Sequence, residues 1–128
     1  RDRFCRQAMR AEPLTIWQTA WKQKRPYLDV LDAVRGFEFV ARQSLWHGEI
    51  YNLVTCHASV SEIVERIEAV HGPTQRQFVD SPIMNDLSYE TSRNKIEAQG
   101  FSFQGNMDLA IRQTLEKISA REIPAAAS

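Results

Sequence analysis

The sequence predicts an α/β fold of short strands and about five helices, and three observations carry that prediction. Lys24 to Ala33 (KRPYLDVLDA) starts on a basic-proline pair, runs as a strand over Arg25–Val30, and passes into a helix through Asp32. Glu49 to Val54 (EIYNLV) repeats the arrangement, with a second helix opening near Ser59 to Ser61. The run Ile50–Val54 is mostly apolar rather than alternating, the pattern of a strand covered on both faces in a parallel sheet.

Each element has a local signature. Asp2 to Ala11 places Phe4, Cys5, Ala8 and Met9 at helical spacing. Glu12-Pro13 ends that helix, because proline disfavours helical geometry at the residue before it. Leu14–Trp17 (LTIW) is a short β-branched and aromatic strand. A polar connection containing Trp21 leads from Gln18 to Lys24 and the strand Arg25–Val30. Asp32 to Arg42 is an amphipathic helix with Ala33, Val34, Phe37, Val40 and Ala41 on its apolar face. Asp32 caps or charges its first turn. Gly36 inside it costs about 1 kcal/mol against alanine, which points to close packing against a neighbouring backbone.

Ser59 with Glu62 three residues later fits a capping box. That helix continues through Ile63, Val64, Ile67 and Val70 until Gly72-Pro73 stops it. Gln77–Val79 is a brief strand, and Tyr89–Gln99 a short helix closed by Gly100. Asn106 caps a last helix carrying Leu109, Ala110, Gln113, Leu115 and Ile118. Residues 1–123 form the body, and 124–128 read as a disordered tail.

Composition narrows the classes. A chain of 128 residues with 43% hydrophobic and 25% charged residues is globular and sized for one ordinary domain. Sixteen basic and sixteen acidic residues cancel, which argues against a nucleic-acid binder resting on clustered Lys and Arg. Arg1, Arg3, Arg6 and Arg10 read as a solvated helix face or a surface left by a missing half. Cys5 and Cys56 have no metal-ligand spacing and read as buried or half-buried free thiols. No signal-peptide pattern and no membrane-length apolar run are present, so a cytoplasmic, reducing setting without membrane partners is expected.

Four pieces, in this order and at suitable spacing, carry a resemblance: Pro13–Trp17, Arg25–Ala33, Glu49–Val54 with its following helix, and Asp80-Ser81-Pro82 leading to Ser92. From about Phe4 to Ile118 the chain resembles the C-terminal half of the NAD-dependent epimerase/dehydratase family, the extended short-chain dehydrogenases that act on nucleotide sugars. The resemblance implies a substrate-binding portion whose dinucleotide-binding half is missing. It implies that Ile16 and Trp17 line the nucleobase pocket, with a plain core position as the other reading of Trp17. Arg25 matches the family's diphosphate-contacting Arg, a task that suits a planar, bidentate guanidinium. Tyr27 and Asp32 match motif positions given to packing and helix capping, while Lys22 and Lys24 add positive potential. One departure stands out. The second phosphate-binding Arg of many members has no counterpart in Asp80–Asp86, and Arg93, further on, either reaches inward or faces solvent. The loop from Asp80 to Leu87 is expected to hold part of the sugar specificity. The substrate-binding set is therefore Ile16, Trp17, Arg25 and Arg93.

The family's chemistry needs a Tyr four residues before a Lys. Here Tyr27 is followed at that distance by Leu31, Tyr51 by Thr55 and Tyr89 by Arg93. No three of Gly36, Gly48, Gly72, Gly100 and Gly105 stand close enough for a dinucleotide fingerprint. No catalytic residue and no cofactor are therefore expected in this segment; NAD belongs to the intact parent. His47, His57 and His71 are scattered, with no i, i+4 spacing for a metal. The neighbours Cys56 and His57 are no nucleophile–base pair, since adjacent residues rarely converge on one site. The implied partners are a nucleotide-sugar and the missing half, with self-association through an exposed sheet edge in its absence. The rival reading is a non-catalytic α/β protein-interaction module with an apolar docking face and no nucleotide affinity.

Overall fold

The computed structural model describes residues 1–80 and 88–122. Within them the chain is α/β, as expected. Its elements are α1 (Asp2–Met9), β1 (Leu14–Trp17), β2 (Lys24–Tyr27), α2 (Val30–Arg42), β3 (Cys56–Ser59), α3 (Val60–His71), β4 (Arg76–Val79), α4 (Asn94–Glu97) and α5 (Met107–Glu122), with a 3-10 turn at Gln18–Ala20. They form two compact units. One draws on residues 1–23, 59–80 and 108–122, the other on 24–58 and 88–107. Residues 81–87, expected to shape sugar specificity, and the tail 124–128 lie outside the described residues.

In the first unit α1 packs on α3 and β1, burying Phe4, Cys5 and Ala8. β1 runs parallel to β4, with Leu14 opposite Arg76 and Ile16 opposite Phe78. The strand's period of two turns Leu14 and Ile16 fully inward. Thr15, between them, is claimed by α1. Gln7 donates to its hydroxyl at 3.1 Å and accepts its backbone N–H at 3.3 Å, and Arg3 donates to its carbonyl at 2.9 Å. The capping box of α3 forms as the sequence predicts. The Glu62 N–H donates to Ser59 Oγ at 3.2 Å, and Glu62 Oε2 accepts the Ser59 N–H at 2.7 Å. Ile63, Val64 and Ile67 are buried on α3, with Ile111 and Leu115 on α5. Each such side chain contributes roughly 1.5–3 kcal/mol over exposure.

The second unit departs from the sequence reading in four places. The strand expected at Ile50–Val54 does not form; the ladder partner of β2 is β3, further along, where the Thr55 N–H donates to the Tyr27 carbonyl at 2.8 Å. β2 ends at Tyr27 because Asp29, not Asp32, caps α2, its carboxylate accepting the Leu31 N–H at 2.8 Å. Asp32 stays in the first turn but turns inward, and α2 buries Asp32 and Gly36 while its apolar stripe faces out. The helix expected over Tyr89–Gln99 shrinks to α4, leaving Ser88–Arg93 without regular structure. Gly36 does answer a close approach, as expected, but to a side chain rather than a backbone: a Cβ there would stand 2.6 Å from Leu53 Cδ1.

Candidate functional site

Asp32 organises the second unit. It is 1% exposed, and both carboxylate oxygens are saturated. Oδ1 accepts from Arg35 Nη1 at 3.1 Å and the Gln104 N–H at 2.9 Å; Oδ2 accepts from the Thr55 hydroxyl at 2.8 Å and the Gly105 N–H at 2.9 Å. Burial, the largest single influence, pushes the pKa of this carboxyl up. The Gln104 N–H, the Thr55 hydroxyl, the Gly105 N–H and the Arg35 charge together outweigh it and hold the pKa below the ordinary carboxylate value. Thr55 also accepts the Asp29 N–H at 2.8 Å, tying the cap of α2 to the strand entry.

On this scaffold β2 presents Arg25, half-buried, with its guanidinium carbon 5.0 Å from the centre of the Tyr89 ring. Tyr89 belongs to Ser88–Arg93, which side chains fasten down in place of a ladder. Ser88 Oγ accepts the Lys24 N–H at 2.9 Å, Glu90 pairs with the Lys24 ammonium at 3.4 Å, and His57 Nε2 accepts the Thr91 N–H at 2.9 Å. Asn52 donates to the Ser92 carbonyl at 3.2 Å. Arg93 closes the segment. Its Nη1 donates to the carbonyls of Val54 and Thr55, its Nε pairs with Glu97 at 3.1 Å, and its guanidinium lies 4.7 Å from the Phe103 ring.

The four sequence-predicted site residues thus divide between the units. Arg25 and Arg93 lie in the second, at the two ends of the same fastened segment. Ile16 and Trp17 lie in the first, on opposite faces of β1: Ile16 is fully buried, while Trp17 is 47% exposed. The structure brings Tyr89 and His57 to this arrangement without a signal in the sequence. The spacing predicts a helix starting at Tyr89, and nothing local in the sequence links either residue to a partner more than thirty positions away.

The chemistry available here is anion binding and orientation. Arg25 brings a directed, planar charge, and a flat aromatic face limits where that charge can point. An opening in the same unit, about 370 Å³, is lined by Arg35, Glu38, Phe39, Arg42 and Phe101 among others. Its two arginines are engaged: Arg35 with Asp32 and the Ser102 carbonyl, and Arg42 with Glu38 at 2.5 Å. So is Arg25, whose Nη1 donates to the Lys24 carbonyl at 3.3 Å. Cys5 is buried, and burial pushes its thiol pKa up, away from the reactive thiolate. Among the described residues no group of three or more His, Cys, Asp or Glu is placed to hold a metal ion. No described helix is long and apolar enough to cross a membrane.

No protein-family model matches the chain, and no curated protein sequence does. Solved structures share its fold. RMD from Pseudomonas aeruginosa, complexed with NADPH, superposes at TM-score 0.73 and 19% identity over 94% of this chain and 41% of its own. The Bordetella bronchiseptica enzyme WbmF, in complex with NAD+ and UDP, superposes at 0.67 and 22% identity, over 92% of this chain and 35% of its own. WbmF in complex with NADH gives 0.69 and 23% identity over 93% and 36%. The chain therefore spans 35–41% of the length of these neighbours. At such identity the likeness is one of fold.

Proposed function

We propose that the chain is the substrate-binding portion of an NAD-dependent nucleotide-sugar epimerase or dehydratase of the extended short-chain dehydrogenase type. The observation that carries this reading is the fold it shares, over nearly its whole length, with an enzyme solved with NAD+ and UDP. In this reading Arg25 takes a phosphate of the nucleotide and Tyr89 keeps its guanidinium in plane. Arg93 adds positive charge at the other end of the segment; in the first unit the exposed Trp17 offers an apolar face to a base, whereas Ile16 is fully buried. None of these residues makes or breaks bonds; their contribution is orientation. Hydride and proton transfer belong to NAD and a Tyr-Lys pair in a half absent from these 128 residues.

The outward stripe of α2 supports such a partner. Val30, Val34 and Phe37, at helical spacing, are 73%, 59% and 74% exposed, and Ile50 is 79% exposed. A helix that buries an aspartate and a glycine and turns two valines and a phenylalanine outward is built to cover something apolar. The apolar segment 50–54, in no ladder among the described residues, is suited to join the sheet of that half. The same stripe favours the rival reading, a protein-interaction module without nucleotide affinity.

Calorimetric titration of the chain with UDP and with NAD+ separates them. The enzyme-derived reading expects weak UDP binding, roughly millimolar, and no NAD+ binding. Arg25→Ala should lower UDP affinity by about tenfold, the worth of a charge-assisted hydrogen bond. Absence of UDP binding by the folded chain overturns that reading and favours the interaction module.

A further inference from the structure

Most fastenings of Ser88–Arg93 keep their form across neutral pH, but the one between Thr91 and His57 is different. A backbone N–H can only donate, so His57 Nε2 must carry a lone pair and the ring proton must sit on Nδ1. A second proton turns Nε2 into a donor and sets two N–H groups head to head across 2.9 Å. Imidazole is the side-chain type whose charge ordinarily changes between about pH 5 and 8.

We propose that residues 88–93 form a strap loosened at Thr91 by protonation of His57. With His57 neutral, Thr91 is held and Tyr89 stays against Arg25; with imidazolium formed, Thr91 loses its acceptor, and Tyr89 is left with the fastenings of Ser88 and Glu90 to Lys24 on either side of it. Charged groups on the neighbouring elements already have partners. Lys24 of β2 pairs with Glu90 of the strap, Arg93 with Glu97 of α4, and Arg25 of β2 lies against Tyr89. The described hydrogen bond of the imidazole is with Thr91. Its protonation is therefore felt first at that bond, two residues from the tyrosine. Tyr89 is a positioning residue, and its effect on a ligand rests on the reading of Arg25 as the phosphate contact.

The test begins on the unaltered chain. Nitrogen-15 NMR of the imidazoles should show His57 as the Nδ1–H tautomer at pH 8. Thr91 amide exchange, normalised to its intrinsic rate, should be roughly tenfold less protected at pH 5 than at pH 8, the loss of about one hydrogen bond. His57→Gln, whose side-chain oxygen accepts without titrating, should flatten that difference. A proton on Nε2 at pH 8, protection that does not move with pH, or an equal change in H57Q overturns the strap. UDP affinity then tests its link to Arg25. A several-fold loss from pH 8 to pH 5 that H57Q abolishes is expected, and an identical pH response in both proteins overturns the link. Failure of UDP to bind at either pH overturns the functional reading, while the strap stands or falls on tautomer and exchange alone.

Discussion

The backbone N–H of Gly105 donates to Asp32 Oδ2 at 2.9 Å, and a Cβ on residue 105 would stand 2.7 Å from that same oxygen. It would also lie 2.5 Å from Asp29 Cβ and 2.7 Å from Thr55 Cγ2. The hydrogen bond and the absent side chain are therefore one requirement: the backbone comes this close to the carboxylate only because residue 105 is glycine. Gly105→Ala must push apart the cap of α2, the buried carboxylate and the strand entry together. The expected cost is about 1–3 kcal/mol, read as a lower urea midpoint at unchanged slope.

Acid should act through Asp32. Its folded pKa lies below that of an unfolded Asp, near 3.9, because its four donors outweigh burial. A depressed folded pKa contributes stability that is fully present above the unfolded value and is lost as pH falls through the folded one. Stability measured between pH 7 and pH 2 should thus fall below about pH 4. Asp32→Asn should remove its share of that slope. At neutral pH the same change should cost about 3–5 kcal/mol, because an amide nitrogen would then face donors. An unchanged acid slope in D32N would show that other carboxylates set it.

The contrast between Asp32 and Ser59 explains which features were legible in the sequence. The capping box of Ser59 and Glu62 closes over three residues, so the two letters carry the geometry with them. Asp32 looks the same locally, an acid in a first helical turn, yet its donors arrive from residues 35, 55, 104 and 105. Likewise Ile50–Val54 has the composition of a strand and Cys56–Ser59 does not. The Tyr27 carbonyl meets the Thr55 N–H, and that pairing decides where the ladder runs. The helices α1, α2 and α3 and the strand β1 follow from spacing; Arg25 is singled out only through the family resemblance, and Arg93 only because the resembling loop lacks an arginine. The strap joining those two arginines depends on contacts 34 to 66 residues apart in sequence.

Ser59→Ala should cost about 1 kcal/mol. It leaves the Glu62 N–H without its acceptor at the start of α3. Thermal or urea unfolding checks this. Ser59→Asp, which restores an acceptor at the cap, should recover most of the loss.

Gly36 and Leu53 should be energetically coupled. Alanine at 36 gains about 1 kcal/mol of helix propensity but places a methyl 2.6 Å from Leu53 Cδ1, so Leu53 must change rotamer. Leu53→Ala alone leaves a gap beside the helix. The double substitution fills that gap with the new methyl and keeps the propensity gain. A double-mutant cycle should therefore show G36A/L53A more stable than the sum of the single changes, by about 0.5–3 kcal/mol. Simple additivity would place Leu53 elsewhere.

The stripe on α2 gives a prediction in which stability and association part company. Val34 and Phe37 are 59% and 74% exposed, so replacing both with glutamine removes little buried surface. Glutamine is also the better helix former. Exposed substitutions of this kind ordinarily stay within about 0.5 kcal/mol, and the unfolding midpoint of V34Q/F37Q should hardly move. Sedimentation should respond strongly if this face drives self-association of the chain: the concentration-dependent species should diminish in the variant. Association that persists would assign it to another surface, such as the segment containing Ile50. A loss of stability as large as that of a core deletion, about 2–5 kcal/mol, would instead mean that the stripe is packed inside the folded chain, and would remove the structural support for a partner at this face.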